Sequence, residues 1–201
     1  MKVKKLIFSV LIVLMSLMAN HAYAVNYALD FDGTNDYIDV GDLEIGSTFT
    51  IEAWIYPRDI TSRQGIFGSE ISGGTIKAFT LEVGPGTNSA PPGRIAFSNR
   101  NSRIVETQIN ALTINAWNHI AIVETGTSHI LYINGSAATD CCGSTDLPLA
   151  DNNDSKVIAK GRNGQFFNGK IDEVRVWSDA RTASEISANY NQGVASDSDN
   201  L

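Results

Sequence analysis

Apolar and polar residues alternate with a period of two over much of the chain from Tyr27 onward, the pattern of half-buried strands. Tyr27, Leu29 and Phe31 fall on one face and Ala28, Asp30 and Asp32 on the other. A turn at Gly33, Thr34 and Asn35 and a return through Tyr37, Ile38 and Val40 predict a hairpin over 27–40. Phe49, Ile51, Ala53 and Ile55 then alternate with Thr50, Glu52, Trp54 and Tyr56 until Pro57 ends the run. Shorter strands are expected at 65–69, 78–83, 94–98 and 104–107, separated by stretches rich in glycine and proline. A further pair is expected at 117–124 and 129–134, joined by Thr125, Gly126, Thr127 and Ser128.

The last strand runs from Asn168 to Trp177. Simple alternation places Ile171, Glu173, Arg175 and Trp177 on one face and Asp172, Val174 and Val176 on the other. Thr182 with Glu185 three residues on fits a capping box, and Ile186 and Tyr190 follow at helical spacing before Gly193. Many short strands and one late helix predict an all-β fold: a two-sheet antiparallel β-sandwich with one short C-terminal helix.

The first residues are not part of that fold. Lys2, Lys4 and Lys5 precede an apolar run from Leu6 to Met18, and Ala22, Tyr23 and Ala24 supply a small-x-small cleavage pattern. Residues 1–24 therefore read as a secretory signal peptide cleaved after Ala24, 25–193 as one domain and 194–201 as a polar tail. No later apolar stretch has spanning length, so the product is expected to be a monomer without a membrane span, secreted or periplasmic. The formal charge is −7, and the leader holds three of the lysines. The remaining chain thus carries about −10, which repels phosphate backbones and argues against nucleic acid and acidic polysaccharides as partners.

Export to an oxidising compartment bears on the two cysteines, Cys141 and Cys142, which are adjacent. Their Cα atoms stand about 3.8 Å apart, closer than the usual disulfide range, so the choices are a strained vicinal disulfide, an intermolecular bridge or two free thiols. For ligand binding, the aromatic residues that a core need not claim are Trp54, Tyr56, Phe166 and Phe167; since Phe166 and Phe167 point to opposite faces, only one of them packs inward. Asn99, Arg100, Asn101 and Arg103 form the most polar loop with basic character. The ligand-binding candidates are thus Trp54, Tyr56, Asn99, Arg100 and Phe166, each with packing or a solvated turn as the competing role.

Five segments in order, Leu29–Ile38, Phe49–Ile55, Trp117–Ala121, Leu131–Gly135 and Asn168–Trp177, resemble the laminin-G-like jelly-roll domains of the concanavalin A-like lectin and glucanase group. The resemblance covers nearly the whole chain after the leader and implies a concanavalin A-like jelly roll. Glucanases of that group present carboxylates from one strand as Glu, x, Asp, x, x, Glu, and no such run occurs here, so no catalytic residue is expected. The group's last strand contributes a carboxylate to a structural calcium, which maps onto Asp172, with Asp32 and Gly33 as neighbours and Asp30 as an alternate; the competing role for Asp172 is a bond to turn amides. Asp140, Asp146, Asp151, Asn152, Asn153 and Asp154 form a second oxygen-rich stretch of the kind that holds calcium in pentraxins, or a solvated loop. The function implied is a non-catalytic binding module recognising a glycan or a cell-surface or matrix ligand. The alternatives are a protein-protein adhesion domain and, further off, a glycoside hydrolase or polysaccharide lyase.

Overall fold

The computed structural model describes residues 28–69, 79–85, 92–99, 103–108, 110–143 and 154–191. The leader, the tail, Arg100, Asn101 and most of the second acidic stretch lie outside the described residues. So do the side chains of Asn99, Arg103, Asp140, Cys141 and Cys142.

The strands are β1 (Leu29–Asp32), β2 (Ile38–Gly41), β3 (Phe49–Pro57), β4 (Gln64–Ser69), β5 (Phe79–Gly84), β6 (Arg94–Asn99) and β7 (Arg103–Thr107). They continue with β8 (Asn118–Glu124), β9 (His129–Ile133), β10 (Ser136–Ala137), β11 (Asp140–Gly143), β12 (Lys156–Ile158) and β13 (Asn168–Trp177), and the chain ends on α1 (Ala183–Asn189). One sheet has six strands in the order β1-β13-β3-β8-β9-β10, the other seven in the order β11-β7-β6-β5-β4-β12-β2, and every pairing is antiparallel. The expected sandwich is therefore present.

Its core is the stack of inward side chains from both sheets. Phe49, Ile51, Ala53 and Ile55 of β3 and Ile120 and Ile122 of β8 face Leu81, Val83, Ile95 and Phe97 across the sandwich, all of them buried. Phe79 knits the two layers at one end, with ring centroids 5.8 Å from Phe49 and 5.5 Å from Phe97.

Two sequence expectations are corrected. Residues 27–40 are not a hairpin: β1 pairs with β13 in the six-stranded sheet and β2 with β12 in the seven-stranded sheet. The Gly33–Asp36 turn, held by the Asp32 carboxylate accepting from the Thr34 amide, is a crossover between layers. The faces of β13 also differ from simple alternation. Ile171 and Asp172 lie opposite Ile55 and Trp54, but Arg175 lies opposite Glu52, so three steps along β13 answer two along β3. The extra residue is a bulge with Glu173 at φ 49°. Beyond it the parity flips: Val174 and Val176 pack on the core, while Arg175 and Trp177 join Glu52 and Thr50 on the outer face.

That outer face is covered. Thr182 and Glu185 form the expected capping box, and α1 lays Ile186 against Ala121, Val123 and Tyr132 in a second, smaller apolar cluster. At the end of the helix the Tyr190 ring packs on His119, with centroids 5.7 Å apart.

Candidate functional site

The ligand set suggested for calcium does not come together. Leu29 lies opposite Ile171 and Asp32 opposite Asn168, which sets Asp172 four residues along β13 from the position facing Asp32. At about 3.3 Å per residue this is roughly 13 Å of strand. Calcium oxygens all stand about 2.4 Å from one ion, so Asp172 cannot share a shell with Asp32 and Gly33. Asp32 caps its own turn, Asp172 accepts from the Glu173 amide at 2.8 Å, and Asp30 is engaged by Arg58 through two bonds of 2.7 and 2.6 Å. The hydrogen bond from Arg58 holds the Asp30 carboxyl below the usual aspartate value. Among the described residues no group of three or more His, Cys, Asp or Glu side chains is placed to hold a metal ion.

The aromatic candidates separate by their surroundings. Trp54 is half-buried: its indole donates to the Tyr190 carbonyl at 2.9 Å, and its ring lies 5.5 Å from His119 and 6.1 Å from Tyr190. It holds the end of α1 onto the sheet. Phe166 is half-buried beside Tyr37, whose ring carries the Lys160 ammonium at 4.1 Å, while Phe167 is fully buried. Tyr56 is different. On the outer face two residues beyond Trp54, it meets Trp117 edge-on, with centroids 5.7 Å apart and planes at 68°, and Trp117 is 41% exposed.

The turn that presents Trp117 is rigid. The Asn118 carboxamide accepts from the Thr113 amide at 3.0 Å and donates to the carbonyls of Thr113 and Ala116 at 2.9 and 2.8 Å. The Asn115 amide, in a residue at φ 54°, donates to the Pro57 carbonyl at 2.9 Å and so ties the turn to the end of β3. Lys170 stands opposite Tyr56 in the register. The sequence pattern placed Trp117 at the start of a strand that in fact begins at Asn118; the signal available was that Asn, whose side chain can staple a turn.

The outer face of the seven-stranded sheet holds charges that sequence reasoning also missed. Glu82, Ala96 and Glu106 lie in one cross-strand row, and both carboxylates are buried. Arg94 donates to Glu106 at 2.7 Å and to the Thr107 carbonyl at 3.1 Å, while Glu82 accepts from Ser98 at 3.1 Å with Arg63 at 3.6 Å. Each carboxylate is thus held beside an arginine.

Under α1, Glu52 joins the outer face through His119 Nε2 at 3.1 Å and the Trp177 indole at 2.7 Å. Burial pushes its carboxyl up, but the bond and charge of His119, with Trp177 and Arg175, outweigh this and hold it below the ordinary glutamate value.

Comparison with solved structures gives the same sandwich in proteins of low identity. Domain 4 of AbnA, a GH43 extracellular arabinanase from Geobacillus stearothermophilus in complex with arabinotriose, superposes with a TM-score of 0.62 at 18% identity, covering 82% of this chain and 77% of that one. The CBM40 of the Ruminococcus gnavus IT-sialidase bound to alpha2,3 sialyllactose gives 0.61 at 15% identity, covering 81% and 94%. The heptameric SAP-like pentraxin from Limulus polyphemus gives 0.59 at 16% identity, covering 81% and 80%. Comparison with curated proteins gives no match. The family model described as the concanavalin A-like lectin/glucanases superfamily matches residues 32–187, most of the described chain. The chain belongs to the concanavalin A-like lectin/glucanase superfamily.

Proposed function

We propose that the protein is a secreted, non-catalytic module that binds a neutral glycan, with Tyr56 and Trp117 as its stacking platform. The observation that carries this reading is the exposed Trp117 ring, set edge-on against Tyr56 and fixed by the Asn118 carboxamide before any ligand arrives. A sugar presents an apolar C–H face and a rim of hydroxyls. A preorganised aromatic pair takes the face, and Lys170, opposite Tyr56, is placed to serve the rim.

Support for the class comes from the fold neighbours, two of which are described with arabinotriose or sialyllactose bound. Support for a neutral ligand comes from the acidic charge of the chain. Export is proposed from the leader pattern, and no helix among the described residues is long and apolar enough to cross a membrane.

The test is a glycan array followed by calorimetry on the best binder, with wild type and Trp117→Ala. Loss of stacking is expected to weaken binding at least tenfold, about 1.4 kcal/mol, with an unchanged unfolding midpoint because the ring is exposed. Equal affinity in the variant would remove the platform, and no glycan retained by wild type would remove the class.

A further inference from the structure

The inter-sheet space is open along one lateral edge, where β1 ends the six-stranded sheet and β2 the seven-stranded sheet. Between them lies a crevice of about 190 Å³ walled by Leu29, Phe31, Ile38, Ile158, Ile171 and Val174. Leu29 shows how open it is. Its side chain has the inward parity of Phe31 and faces Ile171 in the register, yet it is 53% exposed. Tyr37, Val40 and Leu43 along the same edge are 43%, 42% and 37% exposed, so four of the six large exposed apolar residues among those described gather here. A cavity of about 150 Å³ admits a benzene ring, so this one has room for a single side chain.

The chemistry of the rim restricts which side chain. Two of the lining residues are acidic, Asp172 and Glu173, both in the β13 bulge; Arg175 pairs with Glu173 at 2.9 Å, which leaves Asp172 as the carboxylate open to a ligand. Residues 28–50 add six carboxylates and contain no lysine or arginine; the cations that neighbouring strands bring to this edge are Lys160 over Tyr37 and Lys170 opposite Asp30, fewer than the carboxylates. Of these six, Asp30 is paired with Arg58, and the other five have no salt-bridge partner among the described residues. An apolar shaft with a negative rim matches an alkyl chain that ends in a cation. The same charge repels a second copy of this acidic chain. The outward edges of β1 and β2 have no strand partner among the described residues, so an extended segment can add to either one.

We propose that this crevice receives a lysine or arginine side chain from an extended segment of a partner protein. The stem lies along the apolar walls, the charged head meets Asp172 and the rim carboxylates, and flanking apolar residues cover Val40 and Leu43. This surface is separate from the Tyr56–Trp117 platform, which stands on the outer face of the sheet.

The experiment uses the blocked peptide acetyl-Val-Thr-Lys-Thr-Val-amide, with versions carrying norleucine or glutamate in place of lysine, titrated by NMR into the protein. Saturable shifts are expected at the amides of residues 29–31, 38–40 and 171–174. The norleucine peptide should bind at least tenfold more weakly and the glutamate peptide not measurably. Leu29→Arg, at an exposed position, should lose the lysine peptide at least tenfold with an unchanged unfolding midpoint, while Trp117→Ala binds it as wild type does. The proposal is overturned by equal affinity for lysine and norleucine, by unaltered binding in Leu29→Arg, by absence of binding in wild type, or by sedimentation showing that a second copy covers this edge.

Discussion

Glu52 ties together three groups of the outer face. It is 2% exposed, yet it accepts from His119 and Trp177 and lies beside Arg175, itself buried. With Glu52 ionised, His119 donates from Nε2, and its buried Nδ1 has no hydrogen-bond partner among the described residues. The depressed Glu52 value fixes the sign of its pH dependence. The folded state favours the carboxylate, so its contribution is complete above the ordinary glutamate value of 4.5 and is lost as pH falls through the lower folded value. Urea midpoints measured from pH 7 to pH 3 should therefore drop on the acid side in wild type. Glu52→Gln should lose about 1.5–3 kcal/mol at neutral pH, the worth of charge-assisted bonds, and show a flatter acid limb. An acid limb as steep as that of wild type would mean that other carboxylates carry the pH dependence.

At the level of elements, strand register decides what the side chains can do together. Pairing of Leu29 with Ile171 and Asp32 with Asn168 keeps Asp172 out of any shell containing Asp32 and Gly33. Thermal unfolding of metal-stripped protein titrated with calcium should accordingly show no rise that depends on Asp172. A rise present in wild type and absent in Asp172→Ala would restore the shared site, since a folded-state ligand at a hundred times its Kd adds about 2.7 kcal/mol. The elements legible in the sequence were those with a clear local signal: β3 lies where period two put it, β8 and β9 lie on either side of the expected turn, and α1 starts at its capping box. The misreadings have local causes. Gly33, Thr34 and Asn35 suit a hairpin turn, but turn chemistry does not report which sheet the next strand joins. In β13 one inserted residue inverted every later side chain, and a bulge leaves no mark in a period-two pattern. Tyr56 was legible as a free aromatic because β3 kept its parity; Trp117 was not, because exposure in a turn follows from the Asn118 bonds around it.

For the whole molecule, the two outer faces and the lateral edge have separate characters. The six-stranded sheet is covered by α1 and leaves the Tyr56–Trp117 pair beyond it, the seven-stranded sheet carries arginine-bound carboxylates, and the β1–β2 edge is apolar and acidic. The chain crosses between the layers within its first described strands, so one edge of the sandwich is built from the beginning of the fold and is finished by its end. β13 lies between β1 and β3 and pairs with both. A chain ending at Phe167 should thus show no cooperative unfolding transition by circular dichroism, because β1 would have no partner and β3 would lose one side; a cooperative transition in that fragment would mean that the remaining strands close without it. The same placement sets a timetable. As the chain is made, β1 waits through more than a hundred residues for its neighbour, and the six-stranded sheet cannot close until residue 177 has emerged. Synthesis order thus leaves the six-stranded sheet open until β13 has been made, and a chain with that sheet open can still be threaded through a narrow channel.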